Sequence, residues 1–194
     1  MSTSPGKDGR RLFFALWPSD EFRDDLASAT QALARHSGGR VIPPENLHVT
    51  LLFLGQVSEA RFDVVQQAGD ACANSPAFEL MFDRAEVWGR ANLLALTTSV
   101  TPSQASRLAE KLRDSLRDEV SKTSEHDFRP HITLARDLPR RRRPEPITPL
   151  LMKVNDFVLV QSRPAASGSQ YSVRVRWPLI SLPPTPKPTV AERE

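Results

Sequence analysis

The chain has 194 residues, of which 39% are hydrophobic and 25% charged, the profile of one core-forming domain and too short for two independent ones. No apolar run reaches the ~18 residues of a membrane-spanning helix, the opening MSTSPGKDGR lacks the apolar stretch of a secretory signal, and Ser2 stands where myristoylation requires glycine. The expected compartment is the cytoplasm, and no membrane partner is expected. A single cysteine, Cys72, excludes an internal disulfide and a Cys-based zinc site. Net charge is only +3, yet Arg129, Arg136, Arg140, Arg141, Arg142 and Arg143 cluster against Asp137 alone. Such a run on an otherwise balanced chain fits either a solvated loop or contact with a polyanion.

Residues 1–10 read as a disordered start, 11–182 as a single domain and 183–194 as a disordered tail, because Pro183, Pro184, Pro186 and Pro188 permit neither helix nor central strand. Arg11–Trp17 is an apolar run of strand length, and Pro18-Ser19 opens a helix. Phe22, Leu26, Ala29 and Leu33 recur there at helical spacing up to Gly38-Gly39. Residues 47–54 (LHVTLLFL) form a strand closed by Gly55, and Ser58 caps a second helix with Phe62, Val65, Gly69 and Cys72 on its buried face. Phe78–Val87 and Asn92–Thr98 are expected to be two strands joined by a turn at Gly89. Thr101-Pro102 then starts a third helix bearing Leu108, Leu112 and Leu116. Phe128–Ala135 is a further strand, the arginine run a loop, and residues 154–162 and 170–177 the closing strands. Strands and helices without regular βαβ units predict an α+β fold with largely antiparallel sheet.

The informative feature is an internal echo. Leu47-His48-Val49-Thr50-Leu51 and Pro130-His131-Ile132-Thr133-Leu134 both read H-[VI]-T-L within predicted strands. Side chains alternate faces along a strand, so His48 and Thr50 share one face while Val49 and Leu51 take the other, and the second motif repeats this. A half-site made twice points to two similar lobes facing each other across a cleft lined by the four polar side chains. Opposed imidazoles suit proton transfer in both directions near neutral pH, and threonine hydroxyls can donate to a phosphoryl oxygen. That is the apparatus of metal-free phosphodiester cleavage. A lone H-x-T in a strand is ordinarily structural; repetition sets this pair apart from His36 and His126, which lack a matching neighbourhood and read as surface residues.

With these motifs in view, the sequence resembles the 2H phosphoesterase superfamily, and within it the RNA 2′,3′-cyclic phosphodiesterases, historically called 2′-5′ RNA ligases. The resemblance spans nearly all of residues 11–177: RLFFAL, PPENLHVTLLFLG, FRPHITLAR and a closing Y-x-V-x-x-x-W strand. It implies a bilobal fold with pseudo-twofold symmetry and two antiparallel sheets around a central cleft. It further implies hydrolysis of a 2′,3′-cyclic phosphate, on RNA or a small cyclic nucleotide, to the 2′-phosphate, with weak reverse ligation as a side reaction. His48 matches the family's proton donor to the leaving 3′ oxygen, His131 the acceptor that activates water, and Arg136 a phosphate-contacting arginine. No cofactor and no protein partner are implied.

Strict alternation would turn Arg136, five residues after His131, away from the histidine's face, so its reaching the cleft requires the strand to end near it. Arg140, Arg141, Arg142 and Arg143 read as a solvated loop that can hold RNA backbone. Phe13 and Phe14 point to opposite faces of the first strand, so one of them can stack on a base at the cleft edge. Trp88 beside Gly89 either contacts RNA or covers the sheet, and Cys72 is an inert core thiol. Glu45 and Asp127 precede the motif histidines by three and four residues, too far along a strand to share a metal with them. A non-catalytic RNA-binding module would use the basic segment but would have no need of paired H-x-T strands.

Overall fold

A computed structural model describes residues 9–117, 128–139, 146–165 and 168–181. The chain starts in strand β1 (Gly9–Leu16), which leads through Pro18 to helix α1 (Asp20–His36). The start of α1 is set locally: Ser19 Oγ accepts from the Phe22 amide at 3.2 Å, and Asp20 and Glu21 lie in the first turn, where the helix dipole favours negative charge. Leu26, Thr30 and Ala34 form its buried stripe. Strand β2 (Arg40–Val41) and a 3-10 turn (Pro44–Asn46) lead into β3 (Val49–Ser58). After helix α2 (Phe62–Cys72) come β4 (Phe78–Phe82), β5 (Arg84–Trp88), β6 (Leu93–Thr97) and helix α3 (Ser103–Ser115). Strands β7 (His131–Arg136), β8 (Leu150–Val154), β9 (Asp156–Ala165) and β10 (Gly168–Pro178) follow.

The main sheet runs β10-β9-β1-β3-β7-β6-β5, with β2 beside the end of β7 and every pair antiparallel. Its two halves meet between β3 and β7 at one register pair, Val49 with Ile132. Each half carries the same unit: β1, α1 and β3 in one, β6, α3 and β7 in the other, each unit ending in its H-x-T-L strand. The α+β class and the bilobal, pseudo-twofold arrangement follow from this repetition. The three helices and the small β4–β8 ribbon cover one face of the sheet, where Phe14, Leu26, Val65, Leu108, Phe82 and Ile132 join one core. The other face carries the minor cluster Phe13, Ala15, Val158 and Val160, with Phe53 and Tyr171 packed against it.

Four expectations need correction. Gly55 does not end its strand: with φ at +75° it sits at a β-bulge, where Leu12 pairs with Gly55 but Phe13 with Phe53, and the strand continues to Ser58. Ser58 makes no side-chain cap; it precedes a 3-10 turn (Glu59–Arg61), and α2 begins only at Phe62. Phe78–Val87 is two strands in two sheets, because alternation breaks at Asp83, whose carboxylate accepts from the Ser99 amide at 2.8 Å and from the Ser99 hydroxyl. The β8 strand was not foreseen, since it pairs only with the distant β4. The expected disordered end at 183–194 and residues 1–8 of the expected disordered start at 1–10 lie outside the described residues, whereas Gly9 and Arg10 already belong to β1, paired with Ser58 and Val57. No helix among the described residues is long and apolar enough to cross a membrane.

Candidate active site

The joint between the half-sheets creates the site. Val49 and Ile132 are fully buried partners across it. Extending that antiparallel register by one residue sets His48 opposite Thr133 and Thr50 opposite His131. The small residue-to-residue pairing is thus the local expression of the pseudo-twofold. All four polar side chains line one cleft of about 770 Å³.

Arg136 lines it too, for a reason that alternation alone misses. Ala95 pairs with Thr133 but Leu94 with Ala135, so Leu134 is a bulge residue; Leu134 and Ala135 are both buried and the phase of the strand reverses. Position +5 from His131 therefore returns to the histidine's face. The first motif has the same bulge: Ala15 pairs with Thr50 and Phe14 with Leu52, leaving Leu51 extra. There the equivalent +5 position is Phe53. The leucine of each H-x-T-L is the inserted residue.

Both imidazoles are held in the same manner. Nδ1–H of His48 donates to the Asn46 carbonyl at 2.7 Å, and Nδ1–H of His131 donates to the Arg129 carbonyl at 2.9 Å. A carbonyl can only accept, so each ring is fixed with its proton on Nδ1, and Nε2 is the nitrogen free to exchange protons. Asn46 Nδ2 in turn donates to the Ser169 carbonyl at 3.2 Å, tying the His48 support to the β9–β10 hairpin. Arg129 is anchored through its guanidinium, which donates to both carboxylate oxygens of Glu86 at 2.6 Å. Glu86 also accepts from Trp88 Nε1 and the Thr97 hydroxyl. Burial pushes the Glu86 carboxyl up, but the hydrogen bonds from Trp88 and Thr97 and the Arg129 charge outweigh it and hold it below its ordinary value.

The ring environments depress both histidines. His48 rests against Phe13 (5.0 Å between centroids), the edge of Tyr171 (5.2 Å) and the stacked Trp17 (5.7 Å). Burial lowers its pKa from 6.5 to about 4; the Asn46 bond opposes this, and the charges of His131 and Arg136 add to it. His131 lies 4.5 Å from the Trp88 ring and is likewise lowered, mainly by burial and further by Arg136 and Arg129, against the bond to the Arg129 carbonyl.

Not every expected residue faces the cleft. Phe14 is fully buried in the core against Phe157 and Trp177 and is no base contact. Phe13, 3% exposed, is covered by His48 and Tyr171; its role is to support the imidazole, not to stack on a base. Arg140, Arg141, Arg142 and Arg143, and His126, lie outside the described residues, while His36 is exposed at the end of α1. Cys72 is fully buried, and burial raises its thiol. Sequence reasoning did not single out Asn46, Tyr171 or Glu86. The first two lie in the PPENLH and Y-x-V stretches, where neighbouring motifs are the available signal; nothing local marks Glu86. Among the described residues no cluster of three or more His, Cys, Asp or Glu is placed to hold a metal ion.

Comparison with known proteins agrees with this architecture. The chain is 30% identical to the RNA 2′,3′-cyclic phosphodiesterase of Escherichia coli K12 over 171 residues, covering 88% of this chain and 97% of the relative. It is 30% identical to the protein of the same name from Thermus thermophilus, covering 87% and 90%. The crystal structure of E. coli LigT in apo form superposes with a TM-score of 0.80 at 30% identity, covering 89% of this chain and 99% of that one. Its complex with 3′-AMP also gives 0.80, at 31% identity and 88% and 98% coverage. A family model described as the 2′-5′ RNA ligase superfamily matches residues 18–163, both H-x-T-L strands included. Sequence, fold and the duplicated motif therefore agree, and the chain belongs to the 2′-5′ RNA ligase superfamily.

Proposed function

We propose that this protein hydrolyses the 2′,3′-cyclic phosphate at the end of an RNA, or of a small cyclic nucleotide, to the 2′-phosphate. The observation that carries the reading is the pair of Nδ1-anchored imidazoles brought with two threonines into one cleft. The similar proteins bearing the name RNA 2′,3′-cyclic phosphodiesterase support it.

His131, lowered and hence neutral at pH 7, takes a proton from water at Nε2 as the water oxygen attacks phosphorus. The P–O3′ bond breaks, its electron pair goes to the 3′ oxygen, and His48 supplies the proton that oxygen needs. Thr50 and Thr133 donate to the non-bridging oxygens, and the Arg136 guanidinium balances the charge that accumulates there. Attack and departure are in line, so a rigid cleft with one acid protonates only the oxygen beside it. The same displacement, with an RNA 5′-hydroxyl as nucleophile in place of water, breaks the P–O3′ bond in favour of a 2′-5′ linkage and gives a weak ligation. A cytoplasmic setting belongs to the same reading.

The test is the product formed by purified protein from a nucleoside 2′,3′-cyclic phosphate, resolved by chromatography. The 2′-phosphate alone is expected. A predominant 3′-phosphate would reverse the oxygen assigned to the acid, and binding without turnover would favour a non-catalytic RNA-binding module.

A further inference from the structure

The cleft contains more positive charge than one cyclic phosphate uses. A cyclic phosphodiester carries a single negative charge, and Arg136 is close enough to both histidines to depress them. Of the other two arginines lining the cleft, Arg40 is engaged by Asp137, its Nε lying 3.2 Å from a carboxylate oxygen. Arg11 is exposed, has no ion-pair partner among the described residues, and is not among the charges acting on either histidine. It stands apart from the phosphate at the histidines and remains within the same cleft.

Its position is fixed by the sheet. Arg11 and Phe13 share the cleft face of β1, two residues and about 6.8 Å apart along the strand. Phe13 lies beneath His48. The Arg11 guanidinium sits over the Phe53 ring, 5.1 Å from its centroid, and Phe53 pairs with Phe13 across the β1–β3 ladder. Arg11 also shares its register partner, Ser162, with Tyr171, whose ring edge touches His48. The cation is therefore held on an aromatic platform in the same cleft as the histidines, one strand repeat along β1 from the ring that supports His48, and a nucleotide whose cyclic phosphate lies at the histidines can extend its 5′ side toward it.

We propose that Arg11 forms a second phosphate subsite, for the phosphate on the 5′ side of the terminal nucleotide. Resting on the hydrolytic reading above, this makes the preferred substrate a cyclic phosphate on a chain or a 5′-phosphorylated nucleotide, with the bare nucleoside cyclic phosphate a poorer one. The platform keeps the guanidinium extended before the ligand arrives, which lessens the ordering cost of binding.

The experiment compares a nucleoside 2′,3′-cyclic phosphate with the same compound bearing a 5′-phosphate, on wild-type protein, Arg11→Gln and Arg11→Lys. Wild type should favour the 5′-phosphorylated substrate in kcat/KM by about tenfold, the scale of one charge-assisted contact in an open cleft. The preference should shrink as salt is raised, fall to near one in Arg11→Gln and survive in part in Arg11→Lys. Calorimetric binding of a nucleoside 2′-phosphate and a 2′,5′-bisphosphate reads the same preference without turnover. A bisphosphate preference that depends on Arg11 in a protein that hydrolyses neither substrate would uphold the subsite and reject the hydrolytic reading. Wild-type indifference to the 5′-phosphate, or a preference undiminished in Arg11→Gln, would overturn the subsite.

Discussion

His48 poses a quantitative problem whose resolution is testable. With its pKa lowered to about 4, only about one free molecule in a thousand carries the proton at pH 7, yet the proposed reaction needs His48 as the acid. The bound phosphate supplies the remedy. A unit negative charge about 4 Å from the ring, at an effective dielectric of about 20, is worth about 4 kcal/mol, or about 3 pKa units. That returns His48 to about 7, against the opposing charges of His131 and Arg136. Substrate binding should therefore take up a proton. The clean assay uses His131→Ala, which binds a nucleoside 2′,3′-cyclic phosphate but turns it over slowly, titrated calorimetrically at pH 6 in buffers of different ionisation enthalpy. The cyclic diester does not itself titrate there. Uptake should be roughly 0.9 proton per ligand, and near zero when His48 is also replaced by alanine.

The same shifts fix the pH profiles. In the free protein kcat/KM falls as pH drops through the lowered pKa of His131, which must be neutral, and as pH rises through that of His48, which must be protonated. Because both histidines are lowered from 6.5, the profile is a bell centred well below neutrality, and the kcat profile, reporting the complex, peaks at higher pH. Absence of proton uptake, together with superimposable kcat and kcat/KM profiles centred near neutrality, would refute the assignment of His48 as the acid.

Substitution of either histidine by alanine should lower kcat by roughly 10²–10⁴ with the melting transition retained; near wild-type turnover in either variant rejects the two-histidine mechanism. Thr50→Val and Thr133→Val should each cost about tenfold or less, one hydrogen bond apiece. Arg136→Ala should raise KM for a cyclic nucleotide. It should also move the acid limb of kcat/KM upward, because its charge depresses His131. Gly69→Ala tests the core far from the chemistry: an added Cβ would meet the Trp177 ring at 2.3 Å, a ring whose Nε1 donates to Asp70 at 2.6 Å. Overpacking there should cost about 1–3 kcal/mol in denaturant unfolding. An unchanged midpoint would show that the ring yields freely.

Much of this protein is local and hence legible in its amino-acid order. Backbone stereochemistry alone puts His48 with Thr50, and His131 with Thr133, on one face of each strand, and Ser19 with the acidic first turn fixes where α1 begins. The cap foreseen at Ser58 failed because the chain tightens into a 3-10 turn first, and the Phe78–Val87 strand divided because its halves bury against different partners. The break at Asp83 is local, but neither the 3-10 turn nor the sheet that each half joins has a local signature.

What tertiary structure alone decided is how the two half-motifs become one site. The single Val49–Ile132 pairing sets each histidine opposite the other strand's threonine, and the bulges at Leu51 and Leu134 bring Phe53 and Arg136 onto the cleft face against the simple alternation. The proton affinities are decided there as well. Phe13, Trp17 and Tyr171 come from the first strand, the segment after it and the last strand, and only their convergence on His48 strips it of water. Side-chain direction is a property of neighbouring residues, whereas register across a joint and desolvation of a ring are properties of segments that meet only when the chain has folded.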